Sequence, residues 1–402
     1  MKNTVIVLLF LLFSYTEAGA QWAKVLDYSN YSSVFSDNGG GLLFVCAAGG
    51  VYRSSNNGVN WSFCNPGISS GTIMYSVAAR DSLVFACTGT DIYKSTNYGT
   101  NWVRVLQGYS NLGIVLFSGN NIFCNSKTAV MRSTNYGANW NYVISGLSTN
   151  MNLTFLAGSA GRLYTAGLTS NGVYVTTNNG ENWTKTGTEI PPSIGIYSLY
   201  SKDNLVMAGS DNGVYISTNY GTNWRLIQGI LAPFGLYGFA SYGTNTLFIS
   251  GWGSGVYAST NTGTNWIFWN DGMKNSLCNG MYYYNNYIFC GTIYAAFRRP
   301  VTDVGIRKIA GSLPEKFNLY QNFPNPFNPF TKIRFSVPGK SELVHLIIYD
   351  IAGRLIAEPV NAKLNAGVYE ITFDGSGLES GTYFCMLRSG KYSESKKIIL
   401  LK

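Results

Sequence analysis

Apolar and polar positions alternate in short blocks over most of this chain. Segments such as Ile196-Tyr197-Ser198-Leu199, Leu205-Val206-Met207-Ala208 and Gly213-Val214-Tyr215-Ile216 are separated by clusters of Gly, Asn, Ser and Thr and read as β-strands joined by turns. Three such segments precede each of six tryptophans, and a seventh set runs from Asn279 through Arg299. The one unbroken apolar run near the start, Val5 to Phe13, follows Lys2 and ends in the small-residue pattern Ala18-Gly19-Ala20, which is the layout of a signal peptide over residues 1–20. Cleavage after Ala20 puts the mature start at Gln21. No later stretch offers the roughly 20 apolar residues of a membrane-spanning helix, so the mature chain is expected to have no transmembrane segment.

One octapeptide recurs at the end of each strand set: Ser54–Trp61, Ser95–Trp102, Ser133–Trp140, Thr176–Trp183, Ser217–Trp224 and Ser259–Trp266, with the pattern [Ser/Thr]-x-Asn-x-Gly-x-x-Trp. The tryptophans are spaced 41, 38, 43, 41 and 42 residues apart, the length of one four-stranded propeller blade. Each part has an expected task. Asn56, Asn97, Asn135, Asn178, Asn219 and Asn261 accept backbone amides two residues on in an Asx-type turn. Gly58, Gly99, Gly137, Gly180, Gly221 and Gly263 take the positive φ that the turn requires. Trp61, Trp102, Trp140, Trp183, Trp224 and Trp266 open the outer strand and cover the turn. All eighteen are read as structural.

The octapeptide resembles the Asp-box, or BNR, repeat of sialidases, xyloglucanases, the sortilin ectodomain and photosystem II assembly factors, with Asn where that family most often has Asp. The amide keeps the acceptor oxygen. The resemblance implies a β-propeller and no particular chemistry. The seventh set lacks a box and an outer strand, but Gln21-Trp22-Ala23-Lys24-Val25-Leu26 mimics Asn223-Trp224-Arg225-Leu226-Ile227-Gln228, and Trp22 to Trp61 is 39 residues. Seven blades over residues 21–299, closed by the two chain ends, are therefore expected, with six as the alternative.

Composition narrows the picture in three respects. Charged residues are 12% of the chain and the formal charge is +9, but the excess is spread: 14 Lys/Arg against 10 Asp/Glu in 21–305 and 13 against 8 in 306–402. No basic stripe calls for nucleic acid. Four of the seven cysteines, Cys46, Cys87, Cys124 and Cys290, fall at matching repeat positions and read as small buried strand residues rather than bridges. There is no Cys/His cluster with zinc spacing, the only histidine being His345, and no metal or cofactor is expected.

After a linker expected at residues 300–315 the text changes. Phe323-Pro324-Asn325-Pro326-Phe327-Asn328-Pro329 is followed by alternating strand residues, then Tyr349-Asp350-Ile351-Ala352-Gly353-Arg354, Gly367-Val368-Tyr369, Gly381-Thr382-Tyr383-Phe384 and the apolar terminus flanked by Lys396, Lys397 and Lys402. Short strands between Gly and Pro turns make a small immunoglobulin-like β-sandwich over 316–402. These landmarks resemble the type A sorting domain of the type IX secretion system, with Pro324, Asn325, Pro326, Asp350, Gly353, Arg354, Gly381, Tyr383 and Lys397 as its motif residues. The resemblance implies a Bacteroidetes-like Gram-negative source, export across the outer membrane, and partners in the secretion machinery and a sortase-like peptidase that often removes this domain and joins the product to anionic lipopolysaccharide.

For the propeller itself the expectation is a non-catalytic binding or scaffold module for a glycan or protein, secreted or held at the outer-membrane surface. The alternative is an extracellular glycoside hydrolase of sialidase-like or xyloglucanase-like type. Glu181 and Glu189 are the only glutamates of the repeat region, and Asp27, Asp37, Asp81, Asp91, Asp203, Asp211, Asp271 and Asp303 mostly neighbour Gly, Asn or Ser as turn residues do. No spacing among them selects an acid pair. The aromatic stretches Tyr282–Tyr287 and Phe234–Tyr237 are open to two readings, ligand contact or inner strand.

Overall fold

The computed structural model describes residues 21–402 except 29–33, 48, 70, 149–151, 169–171, 228–234, 252, 271, 274–276, 302–303, 311–313, 340–341 and 376–377. The expected signal peptide with Ala18 and Ala20, together with Phe234, Asp271 and Asp303, lies outside the described residues. Among those described there is no α-helix, and the chain divides into two compact units, Gln21–Gly305 and Ile306–Lys402.

The first unit consists of seven four-stranded antiparallel sheets. Six are built from consecutive strands, as in the second sheet with Ser76–Arg80, Leu83–Cys87, Ile92–Ser95 and Val103–Leu106. The seventh takes Cys278–Tyr284, Tyr287–Thr292 and Ala295–Pro300 from one end of the unit and Ala23–Asp27 from the other. Ala23 pairs with Arg298 and Asp27 with Ala295, across an irregularity between Lys24 and Leu26. Tyr282–Tyr287 thus supplies strand residues and a hairpin.

Burial explains why the sheets need each other. Second strands such as Leu43–Ala47 and Leu205–Ser210 are buried on both faces, whereas the outer strands Ser62–Phe63 and Ile267–Phe268 are exposed. A strand buried on both faces requires a covering layer on each side. The apolar clusters accordingly lie between neighbouring sheets: Phe44 and Cys46 of the first pack with Val77 and Trp102 of the second, and so on round to Phe289 and Ala296 of the seventh with Phe35 and Leu43 of the first. The inner strands adjoin in the same cyclic order. This is a β-propeller.

In the second unit Arg307–Ala310, Gly367–Asp374, Phe330–Val337 and Asn318–Leu319 form one sheet, and Leu355–Leu364, Glu342–Asp350, Gly381–Ser389 and Tyr392–Leu400 the other. Ile333, Phe335 and Tyr369 from the first share a core with Leu346, Cys385 and Ile398 from the second. The linker expected at 300–315 is corrected here. Val301 packs in a propeller cluster, Ile306 is buried in the core of the second unit, and Arg307 pairs with Glu370. Gly305 and Gly311 flank that short strand and gave its sequence the look of a spacer.

Candidate functional site

The box hairpins share one hydrogen-bond network. In the second sheet the Ser95 hydroxyl accepts the N–H of Gly99 at 2.9 Å and of Asn97 at 3.3 Å while donating to Asn97 Oδ1 at 2.9 Å, and that oxygen accepts the N–H of Asn101 at 2.9 Å. Ser54 and Asn56 repeat it in the first sheet, Thr176 and Asn178 in the fourth, and Ser259 and Asn261 in the sixth. Ser133 with Asn135 and Ser217 with Asn219 complete the set. The expected division of labour is therefore corrected: the hydroxyl at the first position, not the Asn, holds the amide two residues beyond the Asn, and the Asn reaches the amide four residues on. A hydroxyl can donate and accept at once, which lets it bind both partners.

Two successive residues of each box are left-handed, not one. Asn57, Tyr98, Tyr136, Asn179, Tyr220 and Thr262 have φ of 54–61°, and the glycines after them 72–85°. A second constraint falls on the glycine. A Cβ on Gly58 would lie 2.4 Å from Phe289 Cε1, and one on Gly137 2.8 Å from Phe85 Cε1, both rings belonging to the preceding sheet. The box turn is thus the point where one sheet seats on the next.

The tryptophans extend that seat. Trp102 Nε1 donates to Cys64 O at 2.7 Å and Trp183 Nε1 to Val143 O at 2.8 Å, each across to the preceding sheet. Trp22, 2% exposed, donates in the same way to Trp269 O at 2.6 Å, so the residue ahead of strand Ala23–Asp27 fills a box-tryptophan seat without a box. Side chains close the joint further: Tyr282 OH donates to Asp37 Oδ2 at 2.7 Å, Asn285 Nδ2 to Asn57 Oδ1 at 2.9 Å, and Arg298 Nη1 to Asn57 O at 2.5 Å. Arg53 and Arg132 make the equivalent reach to Tyr98 O and Asn179 O.

Several acids of the propeller have local tasks of their own. Asp81 and Asp203 stand at left-handed hairpin tips with φ of 52°. Asp91 accepts from Thr90 Oγ1 and the Gly108 amide, Asp27 pairs with Lys24 at 2.9 Å, and Glu181 with Arg132 at 2.7 Å. Asp211 accepts the Tyr197 hydroxyl, and that bond, with burial, pushes the phenol up to about 12. All seven cysteines are buried and unbridged, burial holding the Cys46 and Cys290 thiols well above their ordinary range. Among the described residues no three His, Cys, Asp or Glu side chains are grouped to hold a metal ion.

In the second unit each sequence landmark fastens a strand. Asn325, between Pro324 and Pro326, accepts the Ile399 amide at 2.9 Å and donates to Lys397 O at 3.3 Å, while Phe327 N–H donates to Ile399 O at 2.9 Å. The block clamps the last strand. Asp350 Oδ1 accepts the amides of Ala352 and Arg354, both at 2.9 Å, and Oδ2 takes Arg354 Nε at 2.6 Å; Gly353 turns the loop with φ of 77°. Those bonds, the Arg354 amide foremost, hold the Asp350 carboxyl below its usual range. Tyr383, two residues after Gly381, donates to Glu379 O at 2.8 Å, and Tyr369, two after Gly367, donates to Asn365 O at 2.6 Å. Each tyrosine ties a strand start to the carbonyl four residues upstream, the corner device of β-sandwiches. Lys397 keeps its side chain exposed.

An open cleft of about 670 Å³ crosses the second, third and fourth sheets on the face that carries the loops between second and third strands. Its floor is braced: Leu112 N–H donates to Gly89 O, Gly113 N–H to Asn125 O and Leu153 N–H to Lys127 O. Buried Asn125 accepts the Ile114 amide at 2.7 Å and donates to Leu153 O at 3.3 Å. No sequence motif marked this place. The available signal was tyrosine at the start of the inner strand, Tyr75, which recurs in register as Tyr197 and Tyr237.

Fold and landmarks together define a β-propeller that carries a separate C-terminal address. Residues 321–401 match the family described as the secretion system C-terminal sorting domain, so the chain bears the sorting tail of an exported protein. No curated protein matches the chain. Among solved structures it is similar to YCF48 bound to D1 peptide (TM-score 0.57, 13% identity, 70% of this chain and 96% of that one). It is similar also to YCF48 from Cyanidioschyzon merolae (0.55, 15%, 69% and 98%) and to the extracellular domain of BT4673 from B. thetaiotaomicron (0.54, 13%, 79% and 47%). At these identities the likeness is one of fold. Among the described residues no helix is long and apolar enough to cross a membrane.

Proposed function

We propose that this protein is a non-catalytic binding module presented at the cell surface, with the propeller as the binding part and the tail as its ticket through the type IX machinery. The observation that carries this reading is the cleft over sheets two to four. Its lining offers amides, hydroxyls, a tyrosine and a lysine but no carboxylate, which suits recognition and lacks the acid pair of a glycosidase. The partners proposed are the secretion machinery, a sortase-like peptidase acting between the two units, and a glycan or protein ligand; YCF48 with a D1 peptide bound is a precedent for a propeller of this shape gripping another chain.

The test pairs binding with turnover. The purified protein is applied to a glycan array and to surface proteins of its host, and incubated with sialosides and β-glucans. Binding without product is expected. Hydrolysis that disappears on changing a single Asp or Glu would overturn the non-catalytic reading.

A further inference from the structure

We infer that the cleft over sheets two to four is a saccharide seat whose ligand carries a carboxylate. This rests on the binding-module reading and goes beyond it in naming the place and the chemistry. Tyr75 is 46% exposed at the cleft, and its ring lies against Gly89, where an added Cβ would stand 3.3 Å from Tyr75 Cε2. The absence of a side chain at Gly89 gives that edge of the ring its bed. An aromatic ring held this way is a platform for the apolar face of a pyranose, and tyrosine supplies that area at low entropic cost.

The rim suits the rest of a sugar. Thr90, Ser110, Asn111 and Asn152 bring hydroxyls and amides to the cleft, groups that can donate and accept as sugar hydroxyls do. Asn111 sits left-handed, φ 55°, beside the Leu112 amide that is tied to Gly89 O. Because the loops of three sheets are cross-tied, the polar groups are in position before a ligand arrives, which lowers the ordering cost of binding.

Lys127 decides the charge. Among the described lining residues it is the only Lys, Arg, Asp or Glu, the nearest acid in sequence being Asp91, which accepts from the Thr90 hydroxyl. An ammonium among neutral donors favours an anionic group on the ligand, and a uronate ring supplies both a carboxylate and hydroxyls.

The test is calorimetric titration of the purified chain with two probes of equal length, a galacturonate hexasaccharide and the neutral β-1,4-glucose hexasaccharide. The uronate is expected to bind more tightly by about tenfold, the scale of one charge-assisted contact. Lys127→Gln should abolish that preference. Tyr75→Ala should weaken both probes by about tenfold or more in protein that still unfolds in one cooperative melt. Failure of both probes to bind overturns the inference, as does binding that neither variant alters. So does an acidic peptide that binds through Lys127 when no sugar does. An array ligand indifferent to both variants would sink this seat and leave the module reading standing, whereas cleavage of a Tyr75-dependent sugar would sink the non-catalytic reading and leave the seat.

Discussion

The propeller and the tail are both closed all-β units, and they are fastened in opposite ways. The propeller uses one local device six times, the hydroxyl–Asn–Gly–Trp box, and closes its seventh sheet with strands from its two ends. The tail uses each device once or twice: the Asn325 clamp on the last strand, the Asp350 loop, the two tyrosine corners. Repetition in the propeller identifies parts that hold sheets together, because a part present in six of the seven sheets cannot mark one site. The non-repeating tail identifies a particular domain, and the family match falls there.

The sharpest way to break this comparison is at the one propeller joint that has no box. Trp22→Ala removes a fully seated indole and its bond to Trp269 O, and should cost about 3–5 kcal/mol. Trp266→Ala, at a partly exposed box position, should cost less. Denaturant melts of the two variants check the order. Equal losses would mean that the N-terminal strand is an accessory and not the closing element.

Next in size is the hydroxyl of a box. Ser95→Ala leaves the buried Gly99 amide without its acceptor and should cost about 1–3 kcal/mol. If Ser95→Ala were neutral in the same melt while Asn97→Ala destabilised strongly, the Asn would be the main fastener after all, as its sequence position had suggested.

That point shows what the sequence did and did not reveal. Box spacing, Trp22 as a stand-in, the buried cysteines and the sorting landmarks were all legible because each rests on a local pattern or a count of residues. The role of Ser95 was hidden because a first-position Ser or Thr reads as generic strand end, and its bond to Gly99 appears only when the turn is folded. Strand Arg307–Ala310 was hidden because its partner, Val368 to Glu370, is distant in the chain and glycines flank it. The cleft was hidden for a related reason: Tyr75, Asn111, Lys127 and Asn152 come from loops of three sheets and meet only through the ring.

A smaller effect separates the two units by pH. Burial alone would raise the Glu370 carboxyl, but its bonds to Arg334 and Lys332 outweigh that and hold it below the ordinary value; Asp350 is held low mainly by the Arg354 amide. A carboxyl that ionises more readily when folded stabilises the fold fully above its unfolded value, about pH 4, and loses that contribution as pH falls through the lowered folded value. The tail should therefore lose stability on acidification below about pH 4. Replacing Glu370 with Gln should flatten that part of the profile in circular-dichroism melts of the tail, and an unchanged slope would contradict the assignment.

The central claim is that the propeller does the binding and the tail does the addressing, with the division at Ile306. The direct measurement is the location of an unrelated exported reporter fused to residues 306–402, and of the chain ended at Gly305, in a host with the type IX machinery. The account predicts that the reporter reaches the cell surface and that the shortened chain stays folded in the periplasm. A shortened chain found at the surface at normal levels, or a reporter left in the periplasm, would contradict it.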